Sequence, residues 1–318
     1  MRLPTSIGIL GGGESGIGAA LLAKHRGIAC FLSEGQQLGE AHRAELMAAA
    51  VDFEEGGHDL ERLCAFEVVV KSPGISPALP VVQALKEAGV QIWSDIEWFY
   101  RCKPEGARVA AITGSNGKTT TTAWLGHILA QSGANVRVGG NIGTGAGRLL
   151  LGEPAAIYVL EVSSYQLEDC PTFKPNVAVL TNITPDHLDR YGTLAKYTDA
   201  KFQITAHQSE QDAFLYFAED PITVAELGRV KARKYPIYST EPTVKPTIGA
   251  YPEQNHFTLI PQPDAAMTIE ELALQGKHNT YNALAAGLSA RLLQVRRDRK
   301  STRLNSSHVR TSRMPSSA

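Results

Sequence analysis

The residues best suited to chemistry lie in a glycine-rich turn near the middle of the chain. The segment VAAITGSNGKTTTTAWL runs from a strand pattern ending at Thr113 into a helix pattern opened by Lys118 and Thr119. Backbone N–H groups in such a turn, together with a helix N-terminus, bind anions. We expect Lys118 to neutralise nucleotide phosphates and the Thr119 hydroxyl to bind Mg²⁺. The alternative, a turn with a solvated lysine, is disfavoured by the strand and helix on either side, although residue 112 is Ile and the spacing departs from GxxxxGK[ST].

Two further predicted strands end in side chains that suit the same site. Residues 155–162 and 177–181 are short apolar runs typical of buried strands. Glu161 lies at the end of the first run, where the ligands of parallel sheets collect, and its carboxylate suits a hard cation. Considered alone, Glu161 could be a buried acid of the core, and a histidine here could be a surface residue. Three predicted strand ends that each carry a metal- or phosphate-compatible group together favour a site. The turn after the second run, in LTNITPDHLDRYG, carries Asp186, His187 and Asp189.

A second glycine-rich turn lies at the N-terminus. IGILGGGESGIG, from Ile7 to Gly18, contains Gly11-x-Gly13-x-x-Gly16, the pattern of a dinucleotide-binding turn. Alone this pattern is a weak signal. A nicotinamide-dependent oxidoreductase is one alternative, but it leaves the phosphate loop further along the chain unexplained.

The elements that must position these residues alternate between strand and helix patterns. This alternation predicts mostly parallel sheets with helices on their faces. We predict an α/β protein, with a Rossmann-like parallel-sheet domain over residues 1–103 and a P-loop-type α/β ATPase domain over residues 104–298. Residues 234–264 predict loops and short antiparallel strands, and residues 279–293 a closing helix. In the first hundred residues the predicted strands are 7–10, 28–32, 67–71 and 91–93, and the predicted helices 15–26, 40–50 and 80–88.

Composition excludes several classes of protein. The 318 residues are 43% hydrophobic and 20% charged, with a formal net charge of −1, so no global basic field attracts nucleic acid or an anionic membrane. The four cysteines contain no CxxC pair, which favours isolated thiols in a reducing compartment. No apolar run approaches the roughly 18 residues of a membrane span. We therefore expect a cytoplasmic monomer that spans no membrane and binds no nucleic acid.

The C-terminal residues 299–318 differ from the rest of the chain. They contain five Lys and Arg residues, no Asp or Glu, and six serines. A disordered tail, a nucleic-acid-binding arm and non-native sequence after a broken reading frame are the alternatives. We favour a non-native, disordered tail.

In the phosphate loop and in several other motifs, the sequence resembles the Mur ligases, the ATP-dependent amide-forming enzymes of peptidoglycan precursor synthesis. Gly114-Ser-Asn-Gly-Lys-Thr119 is similar to their short phosphate loop, and LTNITPDHLDRYG and LQGKHNTYNALAA resemble their later motifs. Within the family, LEVSSYQLE, GGNIG (139–143), KSPGI (71–75) and SDIEWF (94–99) resemble the branch that adds D-glutamate. The resemblance runs from about residue 7 to about residue 295.

The resemblance implies a mechanism in two steps. ATP phosphorylates the carboxylate of UDP-N-acetylmuramoyl-L-alanine to an acyl phosphate, which the D-glutamate amine then attacks to form the amide and release phosphate. Phosphoryl transfer of this kind depends mainly on positioning and charge neutralisation.

The resemblance also implies roles for named residues. Lys118, His187 and Lys201 would be catalytic, with one Mg²⁺ at Thr119 and Glu161 and a second at His187 and Lys201. Lys201, otherwise an ordinary helix-surface lysine, would react with CO₂ to form a carbamate. The ATP-binding residues would be Gly114, Ser115, Asn116, Gly117, Lys118, Thr119, Thr120, His278, Asn279 and Asn282. The substrate-binding residues would be Glu14, Ser15, Gly74, Asn141 and Ser163, although Ser33-Glu34 at the end of the second strand leaves the uridine contacts open.

The family carries a third, C-terminal domain, which nothing after residue 295 resembles. We therefore expect a truncated ligase that binds nucleotide or UDP substrate but turns over poorly. A P-loop kinase or regulatory NTPase and a non-catalytic UDP-sugar-binding module are the further alternatives.

Overall fold

The computed structural model describes residues 2–253, 256–260 and 277–293. Its first part is a five-stranded parallel sheet in the order β3-β2-β1-β4-β5. The strands are β1 (Ser6–Leu10), β2 (Ala29–Glu34), β3 (Asp52–Glu55), β4 (Val68–Lys71) and β5 (Gln91–Ser94). The helices are α1 (Glu14–His25), α2 (Glu40–Ala48), α3 (Leu60–Cys64), α4 (Pro80–Glu87) and α5 (Asp95–Cys102).

The second part is an eight-stranded sheet in the order β13-β12-β11-β10-β9-β6-β8-β7, parallel except for the β12–β13 pair. Its strands are β6 (Arg108–Thr113), β7 (Val136–Gly140), β8 (Ile157–Glu161), β9 (Val177–Leu180), β10 (Ala213–Phe217), β11 (Arg233–Ile237), β12 (Gly249–Glu253) and β13 (His256–Ile260). Its helices are α6 (Lys118–Gln131), α7 (Ser164–Leu167), α8 (Leu188–Tyr191), α9 (Leu194–Phe202), α10 (Pro221–Ala225) and α11 (Lys277–Leu292). Short 3₁₀ turns cover Ala146–Leu150, Gln203–Thr205 and Leu227–Arg229.

The strand register decides where the candidate site lies. Ile112 of β6 pairs with Glu161 of β8, and Thr113 pairs with Leu180 of β9. The carboxyl ends of these three neighbouring strands therefore meet at one edge of the second sheet, where the phosphate loop begins.

The predicted α/β class is confirmed, and several elements differ from the patterns. β3 and β7 were not predicted, because DFEE and VRVGG lie at the edges of their sheets and lack a buried apolar run. α5 was also missed, although Ser94 caps it by accepting a hydrogen bond from the Glu97 amide. In the region 234–264 the β12–β13 pair is antiparallel as predicted, whereas β11 is a parallel neighbour of β10.

A continuous buried apolar cluster crosses from the first sheet into the second. Phe99 of α5 packs edge-on against Tyr158 of β8, with ring centroids 5.2 Å apart. The Trp98 indole donates to the Ala19 carbonyl of α1 at 3.2 Å. α1 and α5 thus form the side of the first part that packs on the second. None of the helices in the described part of the chain is long and apolar enough to cross a membrane.

Candidate active site

The phosphate loop connects the end of β6 to the start of α6, and its backbone requires glycine at two positions. Gly114 and Gly117 have φ values of +144° and +84°, in the region that favours glycine. A Cβ at Gly114 would overlap the Thr181 hydroxyl, and one at Gly117 would lie 2.6 Å from the Asn282 Oδ1. The loop therefore lies tightly against the chain after β9 and against α11.

Polar side chains after β9 hold the loop in this shape. The Asn182 Oδ1 accepts from the Asn116 amide at 3.1 Å, and the Thr181 hydroxyl donates to the Asn116 carbonyl at 2.6 Å. The Ser115 hydroxyl donates to the Thr184 carbonyl at 3.1 Å and lies 3.2 Å from the Tyr197 hydroxyl. These partners were not predicted to be site residues. Three of them lie in LTNITPDHLDRYG, and this motif was the feature of the sequence that could have identified them. These three are Thr181, Asn182 and Thr184.

Two lysine ammonium groups meet at one carbonyl of the loop. Lys118 Nζ donates to the Gly114 and Ser115 carbonyls, each at 2.9 Å, and Lys201 Nζ donates to the Gly114 carbonyl at 2.8 Å. Lys201 comes from α9, is 2% exposed, and its Nζ lies 4.4 Å from the centroid of the Tyr197 ring. Burial, reinforced by the charge of Lys118, lowers the pKa of Lys201 to about 7. Lys201 therefore has a substantial neutral fraction near neutral pH.

A carboxylate lies on the other side of the loop. Thr119 Oγ1 donates to Glu161 Oε2 at 2.8 Å, and Asn141 Nδ2 donates to Glu161 Oε1 at 3.1 Å. The Asn141 amide also donates to the Glu161 carbonyl at 2.8 Å. Glu161 is 1% exposed, and its oxygens and the Thr119 hydroxyl are the hard donors that Mg²⁺ prefers. In the described ranges, no group of three or more His, Cys, Asp and Glu could by itself hold a metal ion.

His187 takes an unusual backbone conformation at the start of α8. Its φ is +51°, which is uncommon for a residue other than glycine and costs on the order of 1–3 kcal/mol. Its half-exposed ring lies 5.0 Å from the Tyr165 ring centroid and 6.0 Å from that of Tyr197. The Asp186 carboxylate accepts from the His187 amide at 2.9 Å. Because Tyr197 also contacts Lys201 and Ser115, His187 lies beside the phosphate loop.

The predicted substrate residue Ser163 caps α7. Gln166 Oε1 accepts from the Ser163 amide at 3.0 Å and from its hydroxyl at 3.2 Å, while the hydroxyl accepts from the Gln166 amide at 3.2 Å. Gln166 Nε2 donates to both Asp95 oxygens at 3.0 Å. Burial raises the pKa of Asp95, against the lowering effect of these hydrogen bonds. Asp95 belongs to α5, so this cap is tied to the first part of the molecule.

The N-terminal glycine turn lies at the end of the first sheet. The Gly12 amide donates to Glu34 Oε2 at 2.6 Å, so a phosphate that uses this amide must displace a carboxylate. Glu14 accepts from Arg148 Nε at 2.8 Å and from the Gly145 amide at 3.3 Å, both in the second part of the chain. The two other predicted substrate residues of this region are Ser15, whose hydroxyl is near Asp95, and Gly74, which lies three residues after β4.

Three predicted ATP-binding residues lie on α11. Asn282 is buried, and its Oδ1 accepts from the Thr121 hydroxyl at 3.3 Å. Asn279 lies in the first turn of the helix. His278 belongs to the same turn, but its side chain lies outside the described residues. Thr120 lies in the first turn of α6.

The structure therefore gathers one set of predicted residues around the phosphate loop and places another set at the first sheet. The first set is Lys118, Thr119, Asn141, Glu161 and Lys201. The second is Glu14, Ser15 and Gly74. The first set combines two lysines, a carboxylate and a hydroxyl, which suits the binding of a polyphosphate with a divalent cation.

Two known families match the chain. Residues 112–290 match the family described as the Mur ligase middle domain, and residues 6–81 match the MurD N-terminal domain.

Curated relatives resemble most of the chain. A UDP-N-acetylmuramoylalanine–D-glutamate ligase from Cytophaga hutchinsonii is 43% identical over 283 residues, 87% of this chain and 62% of that protein. The protein of the same name from Bacteroides fragilis is 41% identical over 294 residues, 91% of this chain and 65% of that protein. The chain thus spans less than two thirds of the length of these relatives.

A solved structure shares the fold. The UDP-N-acetylmuramate:L-alanyl-γ-D-glutamyl-meso-diaminopimelate ligase from Neisseria meningitides has a TM-score of 0.64 and 20% identity, covering 92% of this chain and 94% of that one. At this identity the likeness concerns the fold alone.

Proposed function

Because this chain belongs to the Mur ligase family, we propose that it carries the nucleotide- and UDP-substrate-binding parts of an ATP-dependent amide ligase. The reaction would join D-glutamate to UDP-N-acetylmuramoyl-L-alanine in the cytoplasmic synthesis of peptidoglycan, as the names of the relatives suggest. The main structural support is the phosphate loop with Glu161 on one side and two lysines on the other. We propose that the chain acts on small molecules as a monomer and binds no nucleic acid.

The nucleotide would lie on the loop, with its phosphates against the backbone N–H groups at the start of α6. Lys118 would leave the Gly114 and Ser115 carbonyls and turn to the β- and γ-phosphates. Asn282 and Asn279, together with His278, would lie near the adenine. This assignment uses the buried position of Asn282 directly behind Gly117.

The residues present fit two Mg²⁺ positions. Thr119 and Glu161, in contact at 2.8 Å, would hold one ion, and His187 and Lys201 the other. Bound Mg²⁺ would neutralise phosphate charge during phosphoryl transfer. Lys201 fits this role only after chemical change, because an ammonium does not bind a cation. Its neutral amine would form a bond to the carbon of CO₂ and release a proton, which leaves a carbamate with two oxygen donors.

The UDP substrate would bridge the two sheets. Glu14, Ser15 and Gly74 would lie near the uridine diphosphate, and Asn141 and Ser163 near the muramoyl-alanine. The carboxylate of the UDP substrate would attack the γ-phosphorus of ATP to give an acyl phosphate and ADP. The D-glutamate amine would then attack the acyl carbon, with phosphate as the leaving group.

Binding of two ligands to the purified chain tests this proposal. We expect isothermal titration calorimetry to show that both ATP with Mg²⁺ and UDP-N-acetylmuramoyl-L-alanine bind. Thr119→Ala should weaken binding of the Mg²⁺ complex about tenfold, because it removes a cation donor and the partner of Glu161, and should change metal-free ATP binding far less. Thr243→Ala, at an exposed threonine, is the matched control.

Three results would contradict the proposal. Binding of NADH in place of UDP-N-acetylmuramoyl-L-alanine would favour an oxidoreductase. ATP hydrolysis that is indifferent to the UDP substrate would favour a regulatory NTPase. A Thr119→Ala variant that binds Mg²⁺-ATP like wild type would remove the assigned cation site.

A further inference from the structure

A seam of hydrogen bonds joins the start of α5 to the segment around α7. The Ser94 amide donates to the Asp169 carbonyl at 2.8 Å, and the Thr172 amide donates to the Glu97 carboxylate at 3.0 Å. Gln166 of the LEVSSYQLE segment also donates to Asp95 of the SDIEWF segment, so these two segments are in direct contact. Asp95 lies at the centre of this seam and is 1% exposed.

The donors around Asp95 define its role. Gln166 Nε2 lies 3.0 Å from each carboxylate oxygen, and the Ser15 hydroxyl and the backbone N–H groups of Asp95 and Ile96 are near enough to lower the pKa of the group. An ionised carboxylate only accepts hydrogen bonds, and a protonated one would direct a hydrogen at one of these donors. The arrangement is therefore that of a carboxylate in the first part of the chain that accepts from Gln166 in the second part.

This acceptor dictates the orientation of the Gln166 amide. Since the amide nitrogen must face Asp95, the amide oxygen must face Ser163, where it accepts from both the backbone N–H and the hydroxyl. A Gln166 amide turned the other way would place donors against donors at Ser163 and an oxygen against the carboxylate. The hydrogen-bond direction thus runs from Ser163 to Gln166 to Asp95, and the Ser15 hydroxyl is also near the Asp95 carboxylate.

The two ends of this series lie at functional positions. Ser15 follows the glycine turn at the end of β1, and Ser163 lies two residues after Glu161 at the end of β8. The UDP substrate, as proposed above, would lie near both ends at once.

We propose that Asp95 is a positioning residue, which sets the donor–acceptor direction of Gln166 and thereby holds Ser163 in register with Ser15 for the UDP substrate. This inference rests on the proposed function for the identity of the ligand. Asp95 itself contacts no substrate atom and acts through Gln166 and Ser15.

Exchange of the hydrogen-bond donor and acceptor between positions 95 and 166 tests the inference. Gln166→Glu keeps the acceptor toward Ser163 but places a second carboxylate against Asp95, so we expect UDP-N-acetylmuramoyl-L-alanine to bind about tenfold or more weakly. In the double variant Asp95→Asn with Gln166→Glu, the amide introduced at position 95 donates to the carboxylate introduced at position 166, and its oxygen accepts from Ser15. This variant should bind within about threefold of wild type, because every hydrogen-bonding group again has a partner.

Hydrogen–deuterium exchange provides a readout that needs no ligand. Amides 163–167 should exchange faster in Gln166→Glu and return to the wild-type rate in the double variant. If Gln166→Glu does not fold, Asp95→Asn alone serves as the test, because it keeps one acceptor for Gln166. Its amides 163–167 should also exchange faster than in wild type, but by a smaller factor. Gln131→Glu, at an exposed glutamine at the end of α6, adds the same charge without this contact and should match wild type.

The two proposals fail in different ways. If wild type does not bind the UDP substrate while the exchange pattern follows the expected order, the proposed ligand is wrong and the Asp95–Gln166 direction stands. Wild-type binding and exchange in Gln166→Glu, or a double variant as impaired as that single variant, would overturn the positioning role. Equal weakening of UDP-substrate and Mg²⁺-ATP binding would indicate a general structural role instead.

Discussion

Lys118 and Lys201 donate to the same carbonyl oxygen, that of Gly114, and this shared acceptor explains much of the site's electrostatics. Two ammonium groups this close repel each other, and Lys201 is also buried. The buried lysine is therefore the one whose ammonium form is most disfavoured. Lys118 is less buried, and the carboxylates of Glu161 and Asp186 partly offset the effect of burial on its pKa.

Carbamate formation at Lys201 should follow the titration of its amine. With a pKa of about 7, the neutral fraction rises roughly tenfold between pH 6 and 8. An ordinary lysine, with a pKa of about 10.4, stays almost fully protonated over that range. We expect a carbamate resonance in ¹³C NMR at constant dissolved ¹³CO₂ that grows by about this factor or more.

Arginine variants assign this resonance. Lys201→Arg should abolish it, and Lys196→Arg, at an exposed lysine on the same helix, should preserve it. A signal that stays flat below pH 8 and rises only near pH 10 would show that the lysine is not perturbed.

Some residues of the candidate site could be identified from the sequence. Lys118, Thr119 and Glu161 were predicted from strand ends and turn chemistry, and the structure places them together. Tyr197 was not, because nothing in YTDAKFQI distinguishes a core tyrosine from one that contacts Lys201 and Ser115. Its position depends on how α9 packs, which no local pattern reports.

At the scale of elements, the turn from β1 to α1 shows that neighbouring glycines serve different purposes. A Cβ at Gly16 would overlap the Gly11 carbonyl oxygen, whereas a Cβ at Gly13 would meet no atom within 4 Å. Gly16 is thus needed for α1 to begin close to the turn. Gly13 leaves open space in front of it, as a site for a ligand requires.

Alanine variants should separate these two roles. Gly16→Ala should lower the free energy of unfolding by about 1–3 kcal/mol, because the clash is with backbone and cannot relax by a rotamer change. Gly13→Ala should change it by less than about 0.5 kcal/mol, and any effect should fall on binding of the UDP substrate. Urea denaturation measures the first quantity and calorimetry the second; equal stability losses in both variants would contradict the assignment.

The elements themselves were predicted unevenly. Central strands such as VVVK and VAVL are buried runs, and their patterns were clear. Edge strands and short helices have no such pattern, since half or more of their side chains face solvent or a neighbouring element. DFEE in β3 pairs with β2 through its backbone and through the Ser33–Glu54 hydrogen bond at 2.6 Å, which composition does not reveal.

At the scale of the whole molecule, α1 and the 3₁₀ turn at Ala146–Leu150 bring the two sheets together. A Cβ at Gly147 would overlap the Gly18 carbonyl group, so backbone meets backbone at this point. Arg148 extends the contact by pairing with Glu14 at 2.8 Å and with Glu45 at 2.5 Å. The relative placement of the two proposed binding regions depends on this contact.

Gly147→Ala should therefore affect the molecule as a whole. We expect it to lower the free energy of unfolding by about 1–3 kcal/mol and to weaken binding of the UDP substrate more than that of Mg²⁺-ATP, because the proposed UDP site alone uses both parts. Urea denaturation and calorimetry with each ligand measure these effects. Gly228→Ala, where a Cβ meets no atom within 4 Å, is the matched control. Parallel losses for both ligands would show that this contact does not set the spacing.

From the sequence by itself, the α/β class, the family resemblance and the phosphate loop could all be determined, and the class and the family are confirmed. Each depends on local order, such as a strand, a glycine turn and a helix in succession, which the chain carries within some twenty residues. Only the tertiary structure decided that Gln166 faces Asp95, that Glu14 pairs with Arg148 and that Lys201 is buried on Gly114. These contacts join residues 71 to 134 positions apart, and they form only when distant segments of the chain pack together.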